Sequence, residues 1–503
     1  MSPSPAGTEG RRALSARAVT SAVWASAESW GQQLVQLAVF VTLARVLGPE
    51  AYGLVGVALI VTTIGILVIN RGGWAEAVIR EPHLDAQYLD TIFWWLAALS
   101  LALLIGVWAA AGAVAAWFET PEVQQILPWL ALVMPIKAMG IVQGALLRRE
   151  LKYRVLALRS LIGVTLGGIA GIAAALLGAG AWSLVINQVG QLLVESLVLW
   201  IAVPWRPGRQ LSLSRLARVV AFAWGVLGAR ALEVAEDLVA RTLIARLLGV
   251  VAVGHYTMAR RLLTLSERLL VTSLSGIAMP IFSQIGHRRG NLQEPLQLGM
   301  QILALVAFPG YVGLALVVPD LLPLVFGRHW APAVVAVQLA TLLGPALPIT
   351  RLSAALLLAL GHATALAGLN ACASVVLLLL LLVPDRLSVE TVMLAFTLRT
   401  WLTLPLLVLV VQWLTRVDVV SCLRSLLPLL AATLVMAAAV ASVRWTIGAE
   451  GSALLRLVLS ILAGAGSYAV VVAIVARPLL ERGWQLVRDR RDARPATLPP
   501  RAA

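Results

Sequence analysis

Long apolar segments follow one another along almost the whole chain, and short polar segments separate them. Many of the apolar segments fill windows of about 20 residues, the length that an α-helix needs to cross the hydrocarbon core of a bilayer. The pattern therefore predicts an all-α polytopic membrane protein with about fourteen transmembrane helices. Their starts are predicted near Thr20, Gly53, Asp90, Val123, Val155, Ala181, Val219, Val253, Gly299, Pro332, Ala363, Val389, Leu423 and Leu454.

The composition agrees with this pattern and excludes a water-soluble fold. Of the 503 residues, 60% are hydrophobic and 13% are charged, and this charged share is about half that of a soluble domain. The net charge of +15 does not indicate nucleic-acid binding, because the basic residues lie mostly between the apolar segments. We expect no nucleic-acid partner.

The basic residues between the predicted helices lie mainly on one side of the membrane. With the N-terminus in the cytoplasm, the predicted cytoplasmic segments carry 24 Lys and Arg residues, and the opposite loops carry 4. Such a bias is what the positive-inside rule requires. We therefore predict that both termini are cytoplasmic, with the basic tail close to anionic lipid headgroups.

Two segments of the sequence repeat at an offset of 201 residues. Residues 43–53 and 244–254 share Ala, Arg, Leu, Gly, Ala and Gly at matching positions. Copies separated by six helices run in the same direction through the membrane, so the offset predicts two bundles of six helices in parallel repeat. The predicted divisions are a cytoplasmic N-terminal segment at 1–18, a first bundle at 19–205, a cytoplasmic linker at 206–218, a second bundle at 219–415, a C-terminal helix pair at 423–476 and a basic cytoplasmic tail at 477–503.

The predicted seventh helix carries charged residues at membrane depth. Arg230, Glu233, Asp237 and Arg241 are spaced by three, four and four residues, which keeps all of them on one face of the helix. One interpretation is a structural stripe that pairs internally, because Asp237 and Arg241 stand in the favourable acid-first order. The other is the wall of a central cavity, where arginines bind phosphate oxygens and a carboxylate takes up a proton or sodium ion.

The predicted first helix offers a matching polar face. The repeat offset places Gln32 and Gln36 at the positions of Glu233 and Asp237, and Glu28 lies one turn earlier. Further cations at membrane depth can add positive charge to the same cavity. The predicted substrate-binding residues are Arg230, Arg241, Arg260, Arg261, Lys137, Arg351, Gln32 and Gln36, and the predicted ion-coupling residues are Asp237, Glu233 and Glu28.

Other features have structural interpretations. Arg45 and Arg246 each precede a glycine that can end a helix in the left-handed conformation, Gly48 and Gly249, and a cation is favourable there. The glycines at 163, 167 and 171 lie four residues apart and predict a packing face between helices. The two cysteines, which lie far apart in the sequence, are interpreted as small core residues.

Four segments in order give the chain a family resemblance. They are residues 43–53, their second copy at 245–261, the Ala-Met-Pro-Ile-Phe-Ser of 278–283 and the Pro-Asp-Leu-Leu-Pro-Leu-Val-Phe-Gly-Arg-His-Trp of 319–330. With these segments the chain resembles the polysaccharide transporters, the Wzx-type oligosaccharide flippases, in the superfamily that also holds multidrug extrusion antiporters and lipid II flippases. The resemblance covers roughly residues 24–475.

The resemblance implies a function. It implies a flippase of the bacterial-type cytoplasmic membrane that moves an undecaprenyl-diphosphate-linked oligosaccharide by alternating access for surface polysaccharide synthesis. The partners would be the lipid-linked oligosaccharide and membrane lipids, with a proton or sodium ion as coupling ion and a polysaccharide polymerase as a candidate partner. The alternative is an ion-coupled multidrug or small-molecule antiporter of the same superfamily.

Enzymatic function is not expected from the sequence. Its only two lysines, Lys137 and Lys152, do not follow a glycine, so the chain has no phosphate-binding P-loop. The five histidines are scattered and the cysteines have no metal-ligand spacing. We expect no metal and no other cofactor, and a membrane polymerase or ligase would resemble proteins with a large extracytoplasmic loop, which the predicted topology lacks.

Overall fold

The computed structural model describes residues 31–82, 84–272, 278, 282–283, 291–383, 386–448 and 451–475. Within these residues the chain is helical and contains no strand. In chain order, the α-helices are α1 (31–46), α2 (Pro49–Arg71), α3 (Trp74–Arg80), α4 (Ala86–Trp117), α5 (Glu122–Ala131), α6 (Val133–Arg149), α7 (Tyr153–Leu176), α8 (Trp182–Ala202) and α9 (Leu213–Leu248). They continue with α10 (Val250–Glu267), α11 (Gln293–Val325), α12 (Val334–Thr341), α13 (Leu347–Ala359), α14 (Ala363–Leu382), α15 (Val389–Thr415), α16 (Val419–Arg424), α17 (Leu427–Ile447) and α18 (Ala453–Val475). A π-helical turn at Arg268–Thr272 extends α10, and 3-10 turns occupy Arg328–Ala333 and Gly344–Ala346.

These helices confirm the predicted all-α membrane fold. Eleven segments of the described chain are long and apolar enough to cross a membrane. The helices α1, α9 and α10 lie where the first, seventh and eighth crossings are predicted, so the total is consistent with fourteen. Large apolar side chains that are mostly exposed, such as Leu382, Trp413 and Trp445, are what a lipid-facing surface requires.

The packing of the chain divides it into two units. Unit 1 comprises the described residues of 31–257, 325–332 and 386–392, and unit 2 the described residues of 258–324, 333–383 and 393–475. This division differs from the predicted bundles at 19–205 and 219–415, because α9 packs against α2, α3 and α4 of the first unit. Helix α9 also begins at Leu213, inside the predicted linker.

The linker before α9 is attached to the start of α4. The backbone N–H groups of Gly208 and Gln210 donate to the two carboxylate oxygens of Asp90 over 2.9 and 3.3 Å. Trp94 donates its indole N–H to the carbonyl oxygen of Gly208 over 2.7 Å. Asp85 at the start of α4 pairs with Arg215, which holds the pKa of that carboxyl below its ordinary value. The linker of unit 1 is therefore a fixed segment of backbone.

Helices α7 and α8 pack through the predicted glycine face. A Cβ atom at Gly163 would lie 2.5 Å from the Cγ atom of Glu195, and one at Gly167 would lie 2.6 Å from the backbone nitrogen of Gln191. A Cβ atom at Gly171 would lie 2.6 Å from a side-chain atom of α8. Only glycine allows the two helices to approach so closely, so the packing prediction is confirmed.

The two copies of the sequence repeat meet in unit 1. A Cβ atom at Gly53 would lie 1.9 Å from the carbonyl oxygen of Val250, and a Cβ atom at Gly254 would lie 1.9 Å from the carbonyl oxygen of Pro49. The two contacts correspond to each other at the offset of 201, because Gly53 matches Gly254 and Pro49 matches Val250. The starts of α2 and α10 thus exchange equivalent contacts, as two-fold related copies must.

The two glycines that follow the helix ends within the repeat, Gly48 and Gly249, adopt different backbone conformations. Gly249 adopts a positive φ of 79°, which favours glycine, as predicted. Gly48 has φ −75° and ψ 175°, so the left-handed conformation predicted there is wrong. Pro49 begins α2 directly after Gly48, and a residue before proline is driven to extended backbone.

Two of the segments that carry the family resemblance also pack together in unit 1. The fully buried indole of Trp330 donates to the carbonyl oxygen of Ala44 over 2.8 Å, and His329 lies 3.1 Å from the same oxygen. The rings of Phe40 and Phe326 are 5.4 Å apart. Residues 326–330 of the second segment therefore cover the end of α1 and supply a donor to the carbonyl oxygen of Ala44.

In unit 2, one buried carboxylate connects α11 to the C-terminal helix pair α17 and α18. Asp320, whose side chain is 2% exposed, accepts hydrogen bonds from Arg444 and from Arg456. Arg456 also donates to the carbonyl oxygen of Gly448 over 2.6 Å. A buried carboxylate needs such partners, because an unpaired charge there would be strongly destabilising.

Candidate functional site

Two residues of the charged stripe of α9, Asp237 and Arg241, form a compact cluster with Tyr256 of α10. Arg241 donates to one carboxylate oxygen of Asp237 over 2.8 Å, the pair that the acid-first spacing predicts. The hydroxyl of Tyr256 donates to the other oxygen of Asp237 over 2.8 Å. The guanidinium carbon of Arg241 lies 6.0 Å from the centre of the Tyr256 ring. We call these three residues the Asp237 cluster.

The cluster has one donor that this conformation leaves without an acceptor. The Nε atom of Arg241 is buried and has no hydrogen-bond partner among the described residues. A buried N–H group in that condition is costly, whereas an added oxyanion would supply the missing acceptor. The pair with Asp237 therefore uses only part of the donor capacity of Arg241.

The structure describes the side chains of only some of the other residues on the two predicted polar faces. Gln32 and Gln36 are half-buried on α1. The backbone positions of Arg230 and Glu233 lie in α9, but their side chains are outside the described part of the chain, as is the whole of Glu28. Their predicted roles in binding and ion coupling stay predictions.

Three of the predicted cations lie in unit 2. The guanidinium carbon of Arg260 lies 5.1 Å from the centre of the Phe396 ring on α15, and that of Arg399 lies 5.9 Å from the same ring. Arg351 on α13 forms an ion pair with Glu267 at the end of α10. Arg261 is exposed. Two guanidinium groups thus lie within 6 Å of the centre of one aromatic ring, the distance of a cation–π contact.

Lys137 lies in a cavity inside unit 1. The cavity has a volume of about 250 Å³ and is lined by α2, α3, α6, α7 and α8. Its charged lining residues are Lys137, Arg148, Arg159, Glu76 and Glu195. Lys137 is thus the predicted substrate-binding residue that the structure places in this cavity.

The sequence did not indicate Tyr256, Phe396 or Arg399. Tyr256 lies 19 residues from Asp237 and is fully buried, and a buried tyrosine needs a hydrogen-bond partner. Its hydroxyl, in a segment predicted to cross the membrane, is the feature of the sequence that points to such a partner. Among the described residues, no group of three or more His, Cys, Asp or Glu residues could hold a metal ion.

The sequence has recognisable relatives. Residues 42–335 match the model of a family described as polysaccharide biosynthesis protein. The chain is 29% identical over 322 residues to the succinoglycan biosynthesis transport protein ExoT of Rhizobium meliloti (strain 1021), which covers 64% of this chain and 65% of ExoT. It is 22% identical over 320 residues to the lipopolysaccharide biosynthesis protein WzxC of Escherichia coli (strain K12), which covers 62% of this chain and 63% of WzxC. The alignments thus span a little under two thirds of these relatives.

Solved structures show a similar fold. The lipid II flippase MurJ in an inward closed conformation matches with a TM-score of 0.76 and 14% identity, over 91% of this chain and 100% of MurJ. An inward-facing multidrug resistance MATE family transporter of the MOP superfamily matches with a TM-score of 0.60 and 15% identity, over 76% of this chain and 94% of the transporter. At such identities the likeness shows the fold alone.

Proposed function

We propose that this chain moves a lipid-linked oligosaccharide across the bacterial cytoplasmic membrane. The chain belongs to the polysaccharide biosynthesis protein family. The names of ExoT and WzxC place them in the synthesis of surface polysaccharides. The cargo would carry its sugars on an undecaprenyl-diphosphate type lipid, and the chain would act as a transporter and not as an enzyme. Alternating access between two states would carry the head group across the membrane.

The Asp237 cluster is the observation that carries this proposal. It holds an arginine within a predicted membrane-crossing helix, and the Nε donor of Arg241 lacks an acceptor in the described structure. A diphosphate is rich in acceptor oxygens, and arginine binds such oxygens with a planar, always charged fork. Arg241 would therefore bind the diphosphate in the state in which the cluster opens.

Arginines and glutamines elsewhere would complete the binding of the cargo. Arg230, Arg260, Arg261 and Arg351 supply positive charge for the diphosphate, and Gln32 and Gln36 can exchange hydrogen bonds with sugars. Asp237 is the candidate for ion coupling, since a carboxylate that gains a proton or sodium ion would loosen its pair with Arg241. Glu233 and Glu28 are the remaining candidates for that role.

The test compares charge-removing variants of the cluster in the native producer of the polysaccharide. We expect Arg241→Gln to reduce surface polysaccharide at least tenfold and to accumulate lipid-linked oligosaccharide on the cytoplasmic leaflet, because a phosphate-binding donor is lost. Arg241→Lys should recover only part of the export, since an ammonium lacks the planar fork. Arg246→Gln is the matched control, because Arg246 pairs with Glu119 over 2.8 Å outside the cluster.

Two further variants separate ion coupling from simple pairing. If Asp237 binds the coupling ion, Asp237→Asn should slow export and remove its dependence on pH or sodium. If Asp237 only pairs with Arg241, Asp237→Asn should leave the pH or sodium dependence unchanged, and the double variant Asp237→Asn with Arg241→Gln should export no less than Arg241→Gln alone. Normal export by Arg241→Gln, at normal protein abundance, would refute the role of the cluster, and export of cationic drugs in place of glycan would indicate the antiporter alternative.

A further inference from the structure

Glu195 places a carboxylate within the membrane-crossing helix α8. It lies seven residues before Ala202, the last residue of the helix, or roughly 10 Å along the axis. Its side chain is 14% exposed. The side chain lies against the backbone of α7, because a Cβ atom at Gly163 would be 2.5 Å from the Cγ atom of Glu195. An ionisable side chain at such a depth is a candidate for function, since burial of its charge is costly.

The two oxygen atoms of the Glu195 carboxylate have different contacts. Oε1 accepts a hydrogen bond from the side-chain amide of Gln191 over 2.8 Å. Oε2 lies 3.8 Å from an Nη atom of Arg159 on α7, an ion-pair distance that is too long for a hydrogen bond. In Asp237, by contrast, each carboxylate oxygen accepts a hydrogen bond of 2.8 Å. Among the described residues, Glu195 therefore has fewer direct hydrogen bonds to stabilise its negative charge than Asp237 has.

The cavity of unit 1 gives water a place beside this carboxylate. Glu195 lines the cavity, whose volume of about 250 Å³ admits several water molecules of about 30 Å³ each. The other charged lining residues are Arg159 on α7, Lys137 and Arg148 on α6, and Glu76 on α3. The cations favour the charged form of Glu195, and Glu76 favours its neutral form. Arg148 lies in the last turn of α6 and Glu76 is exposed, so the cavity extends from Glu195 to the end of a helix.

We propose that Glu195 is a proton-binding site of unit 1, separate from the Asp237 cluster. The proton comes from water in the cavity and binds at Oε2, while Gln191 keeps its hydrogen bond to Oε1. The neutral acid no longer attracts the guanidinium of Arg159, so one proton removes the charge contact between α7 and α8. Proton binding at Glu195 does not depend on which cargo the chain moves.

A hydrophobic carbodiimide detects the proton, because it forms a stable adduct with a carboxyl group only when that group is protonated. The full chain in phosphatidylcholine nanodiscs is treated with dicyclohexylcarbodiimide from about pH 5 to about pH 9, and its peptides are analysed by mass spectrometry. We expect an adduct on Glu195 whose yield falls at least tenfold as the pH rises. The reagent also reacts with thiols, so Cys372 is replaced by serine. Cys372 is exposed, which contradicts its interpretation as a core residue, whereas Cys422 is buried.

Variants of the two partners connect the titration to the contacts of the carboxylate. Arg159→Gln removes the paired cation and Gln191→Leu removes the hydrogen bond to Oε1, so each should move the midpoint of labelling upward by about one pH unit. Arg159→Lys keeps the positive charge and should stay close to the parent midpoint. Glu150→Gln is the matched control, because Glu150 pairs with Lys152 over 2.6 Å and is exposed. It should leave the Glu195 adduct unchanged.

Infrared spectroscopy measures the same proton without a reagent. The C=O absorption of a protonated carboxyl should appear as the pH falls and should be absent from Glu195→Gln. It should also shift within minutes in D2O, because water in the cavity exchanges with the bound proton. The use of two partner variants keeps the test valid if one of them does not fold.

Three results would overturn the proposal. They are the absence of an adduct on Glu195 at every pH, a yield that does not change with pH, and an unmoved midpoint in the folded variants of Arg159 and Gln191. Neither measurement involves export. A negative result at Glu195 therefore leaves the Arg241→Gln test of the proposed function intact.

Discussion

At the scale of single residues, glycine decides how closely the two copies of the repeat approach each other. Gly53 and Gly254 each face a backbone carbonyl of the other copy, and a Cβ atom at either position would lie 1.9 Å from that oxygen. No real contact is so short, and a backbone oxygen cannot swing away as a flexible side chain can. The crossing of α2 and α10 thus depends on a hydrogen atom in place of a side chain at two positions.

We expect Gly53→Ala and Gly254→Ala each to destabilise the protein by about 1–3 kcal/mol, because overpacking forces the two helices apart. Thermal unfolding of the purified protein in detergent checks this. Gly48→Ala is the matched control, since a Cβ atom at Gly48 meets nothing within 4 Å and its φ is −75°. Equal melting temperatures for Gly53→Ala and the parent chain would contradict the close crossing.

At the scale of elements, hydrogen bonds to α4 hold the linker that precedes α9. Asp90 is 2% exposed, and its carboxylate accepts both linker N–H groups, at Gly208 and Gln210. A Cβ atom at Gly208 would lie 2.6 Å from an oxygen of Asp90, so glycine is required for this contact as well. The start of α9 is therefore fixed relative to α4 within unit 1.

We expect Asp90→Asn to loosen the linker, because the asparagine amide offers one acceptor where the carboxylate offers two. The lost hydrogen bond should cost about 1–3 kcal/mol, and roughly fivefold or faster amide hydrogen exchange at Gly208 and Gln210 should follow. Hydrogen exchange with mass spectrometry measures it. Glu150→Gln is the control, since the Glu150 carboxylate pairs with Lys152 and not with the linker. Unchanged exchange in Asp90→Asn would show that other contacts hold the linker.

At the scale of the whole molecule, the distribution of charge indicates an orientation in the membrane. The predicted cytoplasmic segments carry 24 basic residues against 4 in the opposite loops. Two of those four, Arg444 and Arg456, share the carboxylate of Asp320. The positive-inside rule places the segments rich in Lys and Arg in the cytoplasm.

We therefore expect both termini on the cytoplasmic side. A green fluorescent protein fused after Arg12 or after Arg494 should fluoresce, and alkaline phosphatase at the same places should be inactive, because each reporter works on one side only. A fusion after Glu119, in the loop between α4 and α5, is the internal control and should give the opposite pair of results. Termini on opposite sides would mean an odd number of crossings and would refute the predicted topology.

Structural features that depend on composition, or on residues close together in the sequence, could be predicted from the sequence alone. Hydropathy over windows of helix length placed the crossings, because the bilayer fixes the length of a spanning helix. Spacing along one helix predicted the ion pair of Asp237 and Arg241 and the glycine packing of α7 on α8, since residues four apart share a helix face. The repeat predicted which residues of the two copies correspond, and the structure shows that the copies make equivalent contacts with each other.

Contacts between residues that lie far apart in the sequence are visible only in the tertiary structure. Asp320 lies 124 residues from Arg444, and Gly208 lies 118 residues from Asp90, and no local pattern selects such partners. The same holds for Tyr256 beside Asp237, for Arg159 against Gly144 in the cavity of unit 1 and for the assignment of α9 to unit 1. Apolar helices can pack in many arrangements of similar hydropathy, so the arrangement is selected by the sum of close contacts, glycine positions and buried ion pairs across the fold.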